Sequence, residues 1–158
     1  MSLAITVITF DLDNTLWDVE PALLAAEDAQ RDWLLVHRPG AIDQFDHDSL
    51  WEFKKSVWKR HPHLAHHVSQ MRIQMLYEMQ LSAGYSKDDA REGANDAFEA
   101  FLQVRHAVTL YEEALEVLQS LASTSTLGAL TNGNADSYTT DAGGSVDCAF
   151  LAGVGGAG

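Results

Sequence analysis

Hydrophobic residues near the start of the chain form one short, nearly continuous run. Residues 4–10 are Ala-Ile-Thr-Val-Ile-Thr-Phe, rich in β-branched side chains. Such a run is typical of a strand that is buried on both faces of a parallel sheet. Residues 126–130 form a second run of this kind. The pattern therefore predicts two buried strands separated by more than a hundred residues.

Between these runs, hydrophobic residues recur at the spacing of a helix. Asp18 is expected to cap a first helix that has Pro21 in its first turn and ends at the break formed by Pro39 and Gly40. A second, shorter helix is predicted over residues 49–58. From Asp18 onward the chain is thus predicted to be helical up to about residue 105.

Two further helices complete this insertion, and one follows it. A helix over residues 66–81, with methionines along one stripe, is expected to end at Gly84. Ser86, followed three residues later by Asp89, resembles a capping box that opens the next helix. An amphipathic helix over residues 112–122 then leads into the second strand. The sequence predicts an α/β fold with four inserted helices.

The charge balance excludes some classes of partner. Ten Lys and Arg residues against 23 Asp and Glu residues give a net charge of −13. Nonspecific binding to nucleic acid or to an anionic membrane surface requires basic patches, so neither partner is expected. The apolar N-terminal stretch is too short to span a bilayer and lacks a basic leader. Because the single cysteine, Cys148, has no intrachain partner, a cytoplasmic protein is predicted.

Polar residues follow both predicted strands directly. Asp11 and Asp13 come after the first strand, and Thr131 and Asn132 come after the second. A lone pair of acids spaced in this way more often caps a turn. Because the carboxyl ends of parallel strands meet at one edge of the sheet, where such sheets bind ligands, a shared reaction site is favoured over that interpretation.

The two strand ends also carry a family resemblance. Phe-Asp-Leu-Asp-Asn-Thr-Leu-Trp-Asp at 10–18 and Ala-Leu-Thr-Asn-Gly-Asn-Ala-Asp at 129–136 resemble the first two motifs of the haloacid dehalogenase superfamily. The likeness covers about residues 4–136 and is closest to the FMN and nucleotide phosphatases with a helical cap. It implies a Rossmann-like parallel sheet core at 1–17 and 108–136, incomplete in extent, with an inserted helical cap at 18–107.

The resemblance also implies roles for individual residues. Asp11 would be the nucleophile and Asp13 the general acid and base. The Asp11 carboxylate and the Asp13 backbone carbonyl would hold Mg²⁺, while Thr131 and Asn132 would bind the phosphoryl oxygens. The expected substrate is a small-molecule phosphate ester. Superfamily members that dehalogenate 2-haloacids generally lack an acid at the position of Asp13, which favours phosphate chemistry.

The segment after the second motif departs from the family pattern. The family supplies a lysine and further acids there, but no Lys or Arg follows Arg105, and six of the 11 glycines fall in the last 16 residues. Residues 137–158 are therefore predicted to be a weakly structured, glycine-rich tail. One hypothesis is that this tail is a frameshifted continuation of a longer phosphatase; a natural glycine tail is the other.

Alternative functions stay open at this point. A catalytically weak relative would only bind phosphate or a partner, and a 2-haloacid dehalogenase is a distant third. Candidate substrate contacts on the cap are basic residues that are otherwise expected to be solvated, namely Arg72, Lys54, Lys55 and Lys59. The histidines between residues 61 and 67 are expected to form a solvated loop rather than a zinc site.

Overall fold

The computed structural model describes residues 7–130 of the chain. These residues divide into two compact units. The first unit combines residues 7–23 with residues 105–130, and the second comprises Leu24–Val104. None of the helices in the described part of the chain is long and apolar enough to cross a membrane.

A small parallel sheet lies in the first unit. Strand β1, Val7–Phe10, pairs in parallel with strand β2, Thr126–Ala129, so that Phe10 lies opposite Ala129. A parallel pair requires a long crossover connection, which the intervening helices provide. The predicted α/β class with a parallel sheet and a helical insertion is confirmed.

The burial of the two strands differs from the expectation. β2 is buried at Leu127–Ala129, as predicted, but the prediction that β1 is buried on both faces is wrong. Exposed and half-buried residues alternate along β1, and Val7 is 59% exposed. Ile8 and Phe10 pack against the core, whereas no element of the described chain covers the opposite face at Val7 and Thr9. Residues 4–6 of the predicted strand lie outside the described residues.

Six α-helices and one 3₁₀ helix are present between residues 7 and 130. They are α1 (Glu20–His37), α2 (Pro39–Asp43), α3 (His47–Arg60), the 3₁₀ helix (Pro62–Leu64), α4 (Val68–Ser82), α5 (Lys87–Arg105) and α6 (Ala114–Ala122). Two of the predicted caps are confirmed. The Asp18 carboxylate accepts a hydrogen bond from the Glu20 amide (3.0 Å), and the Ser86 hydroxyl accepts one from the Asp89 amide (3.1 Å).

One helix was not predicted, and another begins earlier than predicted. Pro39 interrupts α1 as expected, but it also begins α2, because proline is well suited to the first position of a helix. The next helix, α3, begins at His47 rather than at residue 49. Asp46 accepts a hydrogen bond from the Ser49 amide, and the Ser49 hydroxyl accepts one from the Asp46 amide, which places the cap three residues earlier.

The first unit has its own apolar core. Its most buried members come from the segment after β1, from α6 and from β2: Leu12, Leu16, Trp17, Leu118 and Leu127. Trp17 is fully buried, which is notable for the largest side chain. Leu12 lies between Asp11 and Asp13, and Leu16 and Trp17 follow them. The packing of these three side chains in the core therefore fixes the segment that carries the two acids.

Candidate active site

The candidate site begins where β1 ends. Asp11 follows Phe10 directly, and the chain turns at Asn14, which has a positive φ of 60°. Asparagine is one of the few residues other than glycine that adopts this left-handed conformation readily. The turn is closed by a hydrogen bond from the Asn14 amide to the Trp17 carbonyl (2.8 Å). This geometry brings the Trp17 side chain back towards the acidic pair.

Asp11 has an accessible carboxylate. Its side chain is exposed, and Oδ1 accepts a hydrogen bond from the Leu12 amide at 2.9 Å. No other donor in the described chain reaches this carboxylate. One oxygen is therefore oriented by the backbone while the other remains available to an incoming group.

Asp13 is held from two sides. Its Oδ1 accepts a hydrogen bond from Trp17 Nε1 at 2.8 Å, and its Oδ2 accepts one from Arg105 Nη2 at 2.6 Å. The Asp13 side chain is 23% exposed, whereas that of Arg105 is 2% exposed. A charge-assisted bond to a buried guanidinium fixes the carboxylate more firmly than a solvent contact would.

Arg105 is not among the site residues that the sequence predicts. Its Nε and Nη1 atoms have no hydrogen-bond partner in the described part of the chain, so the Asp13 carboxylate is the charge that offsets this buried cation there. A signal was present in the sequence. Arg105 follows the buried residues Phe98 and Phe101 at helical spacing, which places it on the apolar stripe of α5.

Thr131 and Asn132 lie outside the described residues. The last described residue, Leu130, donates a backbone hydrogen bond to the Phe10 carbonyl at 2.8 Å. The chain thus reaches Thr131 from a residue that is bonded to the immediate neighbour of Asp11. The roles of Thr131 and Asn132 remain predictions.

The oxygen atoms that follow the end of β1 are suitable ligands for a hard cation. Mg²⁺ prefers oxygen ligands and keeps several waters, so that one or two carboxylates are enough. The Asp11 carboxylate is accessible, and no described donor occupies the backbone carbonyl of Asp13. Within residues 7–130 there is no group of three or more His, Cys, Asp or Glu side chains placed to hold a metal. His61, from the histidine-rich loop, binds the Glu78 carboxylate instead.

Comparison with known proteins shows which family the chain belongs to. Residues 5–154 match the hydrolase family described as haloacid dehalogenase-like hydrolase. The chain is 31% identical over 131 residues to the 5-amino-6-(5-phospho-D-ribitylamino)uracil phosphatase YigB of Escherichia coli (strain K12), covering 83% of this chain and 55% of the relative. The chain thus spans little more than half the length of this curated relative.

Solved structures of haloacid dehalogenase-like proteins are also similar to this chain. A structure titled 2-haloacid dehalogenase from Pseudomonas syringae pv. Tomato DC3000 matches 91% of this chain and 62% of its own, with 38% identity and a TM-score of 0.82. The putative HAD-hydrolase YfnB from Bacillus subtilis matches 92% of this chain and 64% of its own, at 15% identity and a TM-score of 0.53, and shares the fold. The sequence match over nearly the whole chain and the shared fold show that this protein belongs to the haloacid dehalogenase-like hydrolase family.

Proposed function

We propose that this protein hydrolyses small phosphate monoesters through an aspartyl-phosphate formed on Asp11. The observation that carries the proposal is the contrast between the two acids. Asp11 presents an accessible carboxylate, while Asp13 is held by Trp17 and Arg105 two residues away. A nucleophile and a positioned proton carrier are the two side-chain functions that this reaction needs. The phosphatase named among its relatives supports the same reaction class.

In the first step, an Asp11 carboxylate oxygen attacks phosphorus. The bond between phosphorus and the ester oxygen breaks, and Asp13 acts as the general acid that supplies a proton to the departing alkoxide. In the second step, water attacks the phosphorus of the aspartyl-phosphate and Asp13 accepts its proton. Inorganic phosphate leaves with the oxygen from water, and the Asp11 carboxylate is restored. Asp13 thus returns to the protonation state in which it began.

The remaining charge on the phosphoryl group needs fixed donors and a cation. Thr131 and Asn132 are proposed to donate hydrogen bonds to the phosphoryl oxygens. Mg²⁺ would be held by the Asp11 carboxylate and the Asp13 backbone carbonyl. When bound, it would neutralise charge on the phosphoryl oxygens. The cytoplasmic location expected from the single cysteine belongs to the same proposal.

Hydrolysis of p-nitrophenyl phosphate tests the proposal. We expect turnover by the full chain that requires Mg²⁺ and is lost in Asp11→Asn. Asp18→Asn is the matched control, because it removes a charge from an exposed aspartate in the same segment while its amide oxygen still caps α1. Equal activity of Asp11→Asn and wild type would disprove the nucleophile assignment. The ester named for the Escherichia coli relative should be assayed beside FMN and nucleotides.

Two alternatives predict different results. The 38% identical structure titled 2-haloacid dehalogenase favours release of chloride from 2-chloropropionate without Mg²⁺. Asp13 and its two donors favour the phosphatase, because displacement of a halide by a carboxylate leaves no alkoxide to protonate. A folded chain that binds phosphate without turning over any ester would support the second alternative, a binding protein.

A further inference from the structure

A half-open cavity of about 910 Å³ lies within the second unit. Helices α1, α2, α3 and α4 and the segment between α2 and α3 line it, and every lining residue belongs to residues 24–104. Its volume falls within the range of small-molecule sites, about 300 to 1,000 Å³. The cavity is thus large enough to hold a compact organic ligand within a single folded unit.

The two long walls of the cavity have different chemistry. Helix α4 contributes three of the four methionines in the chain, Met71, Met75 and Met79, at intervals of four residues. Met71 and Met79 are buried and Met75 is half-buried. Methionine side chains form an apolar, adaptable surface that fits ligands of different shapes. The methionine stripe predicted along this helix therefore forms one wall of the cavity.

Helix α3 faces this wall with tryptophans and lysines. Most of its cavity-lining residues occur in pairs one turn apart, and they include Trp51, Lys54, Lys55 and Trp58. Trp51 is 57% exposed and Trp58 is 42% exposed, although each is large and apolar. Such exposed aromatic surface at the mouth of a cavity is a feature of ligand sites more than of ordinary helix surfaces.

The cavity lining carries slightly more basic than acidic residues, five against four, in an otherwise acidic protein. Five of the ten Lys and Arg residues of the chain line it, although the net charge is −13. Lys54 is half-buried and makes no hydrogen bond or ion pair within the described residues. By contrast, Lys55 binds the Glu52 carboxylate at 2.9 Å. A half-buried lysine without an anionic partner favours binding of an anion from solution.

Four acidic residues also line the cavity, and two of them are engaged by protein groups. Glu27 binds Arg72 at 3.3 Å, and Asp46 accepts the Ser49 amide at the start of α3. The other two, Asp28 and Asp43, are exposed on α1 and at the end of α2. The acids therefore do not neutralise Lys54 through any described contact.

From these observations we infer that the cavity is a binding site for an amphipathic organic anion. The apolar part of the ligand lies against the methionines of α4, and its anionic group pairs with Lys54 near the tryptophans of α3. The site is independent of the reaction proposed at Asp11 and Asp13, since it requires neither residue.

Binding of dodecanoate tests the site directly, with tryptophan fluorescence and calorimetry as measurements. We expect saturable binding of one molecule per chain. Octanoate should bind more weakly, by up to about fourfold for each missing methylene that the cavity would bury. Dodecanol, which has the chain without the charge, should also bind more weakly. Trp58→Phe should reduce the fluorescence response, because it removes an indole from the cavity lining.

Charge reversal at the cavity provides the decisive comparison. Lys54→Glu should weaken dodecanoate binding by about tenfold, which corresponds to the loss of one charge-assisted contact and the gain of a repulsion. Lys87→Glu is the matched control, because it changes the net charge equally at an exposed residue of α5 that does not line the cavity. Asp11→Asn should bind dodecanoate normally, so a failed phosphatase proposal would leave this result intact.

The inference would be overturned by either of two kinds of result. One is the absence of saturable dodecanoate binding to the folded wild-type chain. The other is equal affinity of Lys54→Glu and Lys87→Glu, or equal affinity for dodecanol and dodecanoate, because either equality would show that the bound group is not recognised through its charge at Lys54.

Discussion

The Asp13 carboxylate and the Arg105 guanidinium form an ion pair with unequal burial. Arg105 cannot reach water, whereas about a quarter of the Asp13 side chain can. We expect Asp13→Asn to lower the free energy of unfolding by about 3 kcal/mol, because it leaves a buried cation without an anion. Urea-induced unfolding followed by circular dichroism measures the change.

Asp11→Asn is the control for this prediction. It removes the same charge two residues away, but from an exposed side chain whose amide oxygen can still accept the Leu12 amide. Its effect should stay within about 0.5 kcal/mol. Equal stability of the two variants would show that Arg105 finds another partner. A large loss in Asp13→Asn alone would mark Asp13 as an acid with both a structural and a proposed catalytic role.

Glu78 makes stability depend on pH in the second unit. Burial by itself would raise the pKa of Glu78, but hydrogen bonds from Gln74, Arg60 and His61 outweigh it and lower that pKa below the ordinary value of 4.5. A lowered pKa in the folded state contributes stability that is present above pH 4.5 and is lost as the pH falls through the folded value. Wild type should therefore lose stability on acidification below about pH 4.5.

Glu78→Gln tests this pH dependence. The variant should be less stable than wild type at pH 7, with a smaller loss of stability between pH 5 and about pH 3. Glu99→Gln changes an exposed position of α5, so its stability should depend on pH as that of wild type does. The unfolding temperature of each variant, measured across this pH range, tests the prediction. Parallel curves of unfolding temperature against pH for Glu78→Gln and wild type would contradict it.

At the scale of the elements, α4 and α5 approach closely at Gly93. A Cβ atom at this position would lie 2.2 Å from Gln80 Oε1 and 2.9 Å from Arg38 Nε. Gly93→Ala should therefore destabilise the protein by about 1 to 3 kcal/mol through overpacking. Helix propensity alone predicts the opposite sign, because alanine is favoured over glycine in a helix interior by about 0.5 to 1 kcal/mol.

A double-mutant cycle separates these two effects. Gln80 is fully buried and supplies the nearest atom, Oε1, so Gln80→Ala removes the main obstruction and leaves room for the Arg38 side chain, whose Nε lies at 2.9 Å, to move aside. In that background Gly93→Ala should be neutral or stabilising, whereas in wild type it destabilises. The same sign in both backgrounds, measured by chemical unfolding, would show that the close approach does not determine the effect.

The elements differ in how far the sequence predicted them. Helices with a local signal were found, as the cap at Ser86 and the stop at Gly84 illustrate, because those signals involve residues within one turn. The exposure of β1 was not predictable, since the burial of a strand depends on what covers each face. Arg105 was missed for a similar reason: its partner Asp13 lies 92 residues earlier. Local sequence patterns thus indicated Asp11 and Asp13. The helical spacing of Arg105 indicates that it is buried, but its pairing with Asp13 can be identified only from the fold.

At the scale of the whole molecule, the two units differ in how much of their secondary structure is enclosed. The described sheet of the first unit has two strands of four residues each, and β1 is half-exposed. Two-stranded sheets are marginal by themselves. In the second unit, α4 and α5 bury residues along their whole length, including Met71, Leu76, Ala94 and Phe101. Opening of the sheet should therefore require less free energy than opening of these helices.

Hydrogen exchange measures this difference within one sample. We expect the amides of β1 and β2 to exchange before those in the middle of α4 and α5, because exchange follows the free energy of local opening. Leu118 of α6 is buried beside β2 residues in the same core, so peptides covering α6 should exchange at an intermediate rate. Sheet amides that exchange as slowly as those of α4 would contradict this order. Such a result would mean that the core around Trp17 holds the sheet, and with it the turn that carries Asp11 and Asp13, as firmly as the helical unit holds its own interior.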